Sequence, residues 1–121
     1  MEKEYLYVGH YVDMEGNYIL KIGTTNNLNR RKKEHDRNYR KSSNHTMPKE
    51  SEFVYDWNVK LSKYNTLRYE DKNKVRLIEL GFGTYVKNDR FVFAQKPPKV
   101  EIIIRKNYEI ILWWSWQINI K

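Results

Sequence analysis

Lys21-Ile22-Gly23-Thr24-Thr25-Asn26-Asn27-Leu28-Asn29-Arg30-Arg31-Lys32-Lys33-Glu34-His35 carries a change of backbone regime, from an extended apolar segment through a polar cap into a basic helix. Tyr18 to Gly23 has the branched and aromatic make-up of a strand. Thr24, Thr25, Asn26 and Asn27 each offer a side-chain oxygen to the free N–H groups of a first helical turn, so a helix is expected to start just after them. Leu28 to Tyr39 contains neither glycine nor proline, which fits that expectation.

Upstream, Tyr5 to Val12 is apolar on both faces and is separated from Tyr18 by the turn-rich Asp13-Met14-Glu15-Gly16-Asn17, so the two segments should form a hairpin. A four- or five-residue turn pairs Gly9 with Lys21 and Tyr7 with Gly23. Downstream, Ser42 to Pro48 reads as a loop. Glu52 to Leu61 reads as a third strand, with Phe53, Tyr55, Trp57 and Val59 on one parity. Tyr64 to Leu80 is expected to be a second helix, with Leu67, Val75, Leu77 and Ile78 as its apolar set and Gly81-Phe82-Gly83 as its stop. Arg90 to Phe93 suggests a short strand, and Pro97-Pro98 a break. Val100 to Ile104 and Tyr108 to Ile120 then suggest a hairpin around Arg105-Lys106-Asn107. The order implies an α+β fold: a small, mostly antiparallel β-sheet flanked by helices, over residues 1–95, with a C-terminal β-hairpin extension over 96–121 packed on the same domain.

The chain has 121 residues, enough for one modest core, and its 23 Lys and Arg against 15 Asp and Glu give +8. Such a balance points to a polyanionic partner. The excess is local. Residues 21–41 hold eight basic side chains and two acidic ones, which is +6 of the total. The absence of cysteine excludes disulfides, thiolate nucleophiles and Cys-ligated zinc. No apolar run nears the roughly 20 residues of a membrane span, and the N-terminus has no apolar signal core, so a cytoplasmic protein is expected.

On the first helix Leu28, Arg31, His35 and Tyr39 are spaced three, four and four apart and share a stripe, with Arg30, Lys33 and Arg37 on its flanks. A guanidinium held against a sheet is costly unless an anion meets it, so Arg31 suggests a phosphate site; pairing with an internal Glu is the plainer reading. A lone His35 on a half-apolar stripe is more often structural than catalytic. Neither His10 nor His45 has a spacing that makes a His-based metal site with it. The hairpin register makes Tyr7 and Lys21 diagonal neighbours, and a cation there should lower the phenol from about 10, toward a base able to activate water. A cross-strand aromatic beside a snorkelling lysine accounts for the same pair. On the second helix Leu67, Asp71, Val75 and Ile78 fall on one stripe with Glu70 and Lys74 at its edge. A carboxylate there can ligate a hard divalent cation or simply pair with Arg31.

Together these segments resemble the GIY-YIG nuclease superfamily. Tyr5-Leu6-Tyr7 stands at the first signature triplet and Lys21-Ile22-Gly23 at the second, in the form similar to a phage and large-DNA-virus branch, while Asn88-Asp89-Arg90-Phe91 looks like that branch's closing strand. The resemblance covers about residues 4–95 and is strongest over 18–35. Tyr5 replaces the first glycine and Lys21 the second tyrosine. The resemblance implies a Mg²⁺- or Mn²⁺-dependent DNA endonuclease. In it Tyr7 is the general base assisted by Lys21, Arg31 binds the scissile phosphate, and His35 orients water or tyrosine. Glu70 holds the metal, with Asp71 as the alternative ligand. Arg30, Lys32, Lys33, Arg37 and Lys41 would grip the DNA backbone. The rivals are an inactive DNA-binding module of the same fold and an interaction or inhibitor protein acting through its Trp-rich end, where residues 108–120 either extend the sheet or form a homodimer contact.

Overall fold

The structure, a computed structural model, describes residues 2–79, 81, 83–87, 90–94 and, as backbone, the strands at 100–104 and 110–114. Its elements run β1 (Lys3–Val12), β2 (Tyr18–Thr25), α1 (Leu28–Arg40), β3 (Val54–Ser62), α2 (Lys63–Glu79), β4 (Thr84–Val86), β5 (Arg90–Phe93), β6 (Val100–Ile104) and β7 (Ile110–Trp114). The fold is α+β. Five strands in the order β3-β1-β2-β5-β4 make an antiparallel sheet, and β6 and β7 pair as a separate antiparallel hairpin. Strand β4, three residues long, has no signature in the sequence. Residues 88–89, the expected turn at 105–107 and the chain beyond 114 lie outside the described residues, so the strand expected to reach Ile120 is followed only through Trp114. Among the described residues no helix is long and apolar enough to cross a membrane.

The hairpin takes the register that its turn length predicts, Tyr7 opposite Gly23 and Gly9 opposite Lys21. Asp13 shapes the turn: its carboxylate accepts from the N–H groups of Glu15 and Asn17 at 3.0 and 2.8 Å, while Gly16 takes the left-handed φ of 86°. Alternation then splits β1 and β2 between two cores. Tyr7, Tyr11 and Ile19 face α1 and pack with Tyr39, Met47 and Phe53. Leu6, Val8, Tyr18, Leu20 and Ile22 face α2 and pack with Leu61, Tyr69, Leu77, Phe91 and Phe93. Both strands therefore read as apolar on each face.

Two sequence expectations are corrected. Along β3 the single apolar parity does not hold, because a β-bulge shifts the register: Val8 lies opposite Trp57 but Gly9 lies opposite Tyr55. The extra residue, Asp56, turns the strand over, so Phe53 and Tyr55 join the α1 side while Trp57 and Val59 join the α2 side. On α2 the buried residues are Thr66, Tyr69, Asn73 and Leu77, whereas Leu67, Val75 and Ile78 are about half exposed. The polar members of the buried face bond within their own helix: Thr66 Oγ1 donates to the Lys63 carbonyl at 2.8 Å and Asn73 Nδ2 to the Tyr69 carbonyl at 2.7 Å. Satisfied in this way, they can be buried at little cost.

Candidate active site between helix α1 and the sheet

Strand β1 points Tyr7 toward α1, and the ring lies across Gly23 on the neighbouring strand. A β-carbon at Gly23 would overlap the phenol hydroxyl and stand 2.6 Å from its Cζ, so only glycine leaves room for this tyrosine. Asn27, one of the four candidate caps, caps α1, its Oδ1 accepting from the Arg30 N–H at 3.0 Å. His35 and Tyr39 are then buried against the sheet, while Leu28 and Arg31 are partly buried at the near end, as the three-four-four spacing predicts. His35 stacks on Tyr39 with centroids 5.0 Å apart and rings 3° from parallel. Tyr55 stands edge-on to Tyr7 at 5.1 Å, fastened by its hydroxyl to the Leu28 carbonyl.

Tyr7 Oη and His35 Nε2 are 2.6 Å apart in a buried contact. Arg31 stands close enough for its positive charge to act on the phenol, in the direction that lowers it. With the phenol as donor, His35 Nε2 accepts and the imidazole carries its hydrogen on Nδ1. The electrostatics agree. Burial pushes the Tyr7 phenol up to about 12, against the lowering influence of Arg31 and with the negative charges of Glu70 and Glu34 adding to the rise. Burial, followed by the charges of Arg31 and Lys21, pushes His35 down to about 3. Both are neutral at ordinary pH.

The expectation that Lys21 lowers the phenol is thus corrected on two counts. Desolvation outweighs every neighbouring cation, and the cation felt at Tyr7 is Arg31. Lys21 is buried and acts on His35 instead. Arg31 pairs with Glu34 on its own helix at 2.9 Å. Glu70 lies half-buried on α2 close enough for its charge to raise the phenol, whereas Asp71 is exposed in a groove with Arg68, Lys72 and Arg76 on the outer side of that helix.

Beyond Arg31 and His35 opens a pocket of about 610 Å³, lined by these two with Lys21, Asn38, Tyr39, Ser42, Ser43 and Arg90. Arg90 escaped the sequence reading. Its strand is four residues long, and its placement opposite Lys21 follows only from the β2–β5 register. Also missed were Asp13, Glu15 and His45, whose ligand atoms lie within 4.8 Å of one another; there His45 Nδ1 meets an Asp13 carboxylate whose other partners are Asn17 and Glu15.

The helical cations divide. Lys33, Arg37 and Lys41 are exposed at intervals of four. Arg30 is held by Asn26 at 2.8 Å and by Glu34 at 3.5 Å. Lys32 is a clamp, its Nζ 3.0 Å from both Asp36 and Glu52.

A family model, the T5orf172 domain, matches residues 4–109, from the first strand of the sheet into the C-terminal hairpin. The chain belongs to the T5orf172 domain family. No curated protein and no solved structure matches it. The T5orf172 domain is phage-associated and occurs in nuclease-like proteins. In this T5orf172 chain the matched span contains the whole arrangement of Tyr7, Lys21, Arg31, His35, Glu70 and Arg90.

Proposed function

We propose that this T5orf172 domain is a DNA endonuclease of the GIY-YIG type, hydrolysing phosphodiester bonds inside the cell with Mg²⁺ or Mn²⁺. The observation that carries the reading is the buried Tyr7–His35 hydrogen bond, with Arg31 and the Glu70 carboxylate both near enough for their charges to act on the phenol. These groups come from β1, α1 and α2, and a domain that only folds has no use for their convergence. Packing could be served by Phe in place of Tyr7.

In this reading Arg31 receives the scissile phosphate, which competes with Glu34 for the guanidinium. Tyr7 passes its proton toward His35 Nε2 and takes one from the attacking water, so the two side chains work as a relay rather than as a free phenolate. Desolvated His35 is a weak base on its own, and the negative charge of the bound phosphate would raise it as the proton moves. Glu70 fits a hard cation of the Mg²⁺ kind, which needs only one or two protein carboxylates and completes its shell with water and substrate phosphate. Such an ion would neutralise charge at the leaving oxygen. Lys33, Arg37 and Lys41 would lie along the DNA backbone and supply affinity without sequence preference.

The competing reading, a DNA-binding module without turnover, draws on the fully buried, protonated Tyr7 and on the Arg31–Glu34 ion pair. Plasmid nicking with and without Mg²⁺ separates the two. The endonuclease should relax supercoiled plasmid only with the metal, and Arg31→Ala and Glu70→Ala should lose that activity. Salt-sensitive binding with no Mg²⁺-dependent nicking would establish the binding module instead.

A further inference from the structure

Arg90 is a deeply buried cation, 4% exposed, with no carboxylate partner among the described residues. A guanidinium carries five N–H groups, and three of them are accounted for by neutral oxygens. Nε donates to the Lys87 carbonyl at 3.3 Å, while Nη1 donates to the Tyr11 hydroxyl at 2.8 Å and to the Asn44 carbonyl at 3.4 Å. The guanidinium also lies over the Tyr39 ring, 5.6 Å from its centroid, while Nη2 has no acceptor among the described residues and opens to the pocket that the side chain lines next to Arg31. Burying a guanidinium against neutral partners alone is unfavourable, and such a charge persists where an anion completes it.

The surroundings fit that anion. Lys21 stands directly across from Arg90 on the paired strand, and both side chains line the pocket. The positive field of the pocket is already felt by His35, which burial first and Arg31 and Lys21 next drive toward its neutral form. Asn38 and Ser43 also line the cavity, and their side chains have no partner among the described residues. A tetrahedral oxyanion can meet donors arriving from several directions at once, which a planar carboxylate does less well. The volume, about 610 Å³, exceeds what one phosphate at Arg31 would fill.

We infer that this pocket binds a second phosphate group, held by Arg90 with Asn38 and Ser43, beside the phosphate that Arg31 engages. Naming its source as DNA rests on the nuclease reading; the binding of a phosphate does not. The source is either the neighbouring phosphodiester of the same strand or a terminal phosphate at a strand end. Arg90 thereby becomes a substrate-positioning residue that sets how far the strand reaches past the cut.

Inorganic phosphate titrated into metal-free, full-length protein, followed by amide and Arg90 Nε NMR signals, tests the site without any cleavage. Saturable shifts at Ser42, Ser43 and Arg90 are expected with phosphate and not with chloride at equal ionic strength. Arg90→Gln should weaken phosphate binding by about tenfold, as expected when one charge-assisted hydrogen bond is removed. Because Arg90 also ties β5 to the loop carbonyl of Asn44, the double variant Asn38→Ala/Ser43→Ala serves if Arg90→Gln does not fold, and it should weaken binding in the same direction. Unchanged binding in whichever of these folds, or chloride acting like phosphate, would overturn the inference. Thymidine oligomers then distinguish the sources. TpTpT binding tighter than TpT assigns a neighbouring phosphodiester, pTpT binding tighter assigns a terminal phosphate, and equal affinity of all three contradicts the site as one for DNA. Phosphate binding without any nicking would leave the pocket standing and remove only the hydrolase.

Discussion

Tyr7 is defined by what it lacks around it as much as by what it touches. Gly23 is the empty place its ring occupies, so Gly23→Ala should push the ring aside, lower stability by about 1–3 kcal/mol, and abolish nicking, read by thermal unfolding and plasmid relaxation side by side. His35 makes the pH dependence of stability predictable in sign. Its folded value, about 3, lies below the ordinary 6.5, so between these values the unfolded chain binds more protons. The stabilisation is complete above pH 6.5 and is lost as pH falls toward 3, at a slope of up to about 1.4 kcal/mol per pH unit. Urea titrations across that range should show the slope in the wild type and a flatter one in His35→Gln; equal slopes would mean that His35 is not held neutral. At this scale the sequence was informative wherever geometry is local. The stripe of Leu28, Arg31, His35 and Tyr39 needs only helical arithmetic, and Tyr7 opposite Gly23 needs only a turn length. The state of Tyr7 was not legible, since burial depends on Phe53, Tyr55 and Tyr39 closing around it from distant parts of the chain.

Helix α1 is positioned by its cap and by a clamp. Asn27→Ala should cost about 1 kcal/mol and rotate nothing else, a change visible in chemical unfolding. Lys32 and Asp36 fasten the far end, with Asp36 Oδ1 accepting from the Phe53 N–H at 2.7 Å, which brings the segment before β3 against the helix. Helix α2 shows how an apolar pattern can mislead. Leu67, Val75 and Ile78 form a regular stripe, yet the buried side carries Thr66 and Asn73, whose polar groups are satisfied inside the helix. Leu77→Ala should therefore cost about 2–5 kcal/mol, while Leu67→Ser stays within about 0.5 kcal/mol in the same unfolding assay. The β3 parity failed for a related reason. Asp56 inserts a bulge that no alternation rule anticipates, because a bulge is fixed by the partner strand.

Across the molecule, the α1 face of the sheet carries the Tyr7–His35 pair and the cationic pocket, while the other face packs against α2. Charge follows this division: the buried cations Lys21 and Arg90 sit inside the pocket, and Lys33, Arg37 and Lys41 lie on the outer surface of α1. Replacing those three outer cations by Gln should make DNA binding less dependent on salt, the log–log slope falling by about one for each phosphate left unneutralised, measured by titration at several salt concentrations. The proposed hydrolase stands on the Tyr7 hydroxyl, and Tyr7→Phe keeps the ring while removing only that atom. Measured as the Mg²⁺-dependent nicking rate of supercoiled plasmid, this variant should be slower than the parent by about 10²–10⁴-fold. A Tyr7→Phe protein that nicks as fast as the parent would contradict the assignment of the reaction to this site.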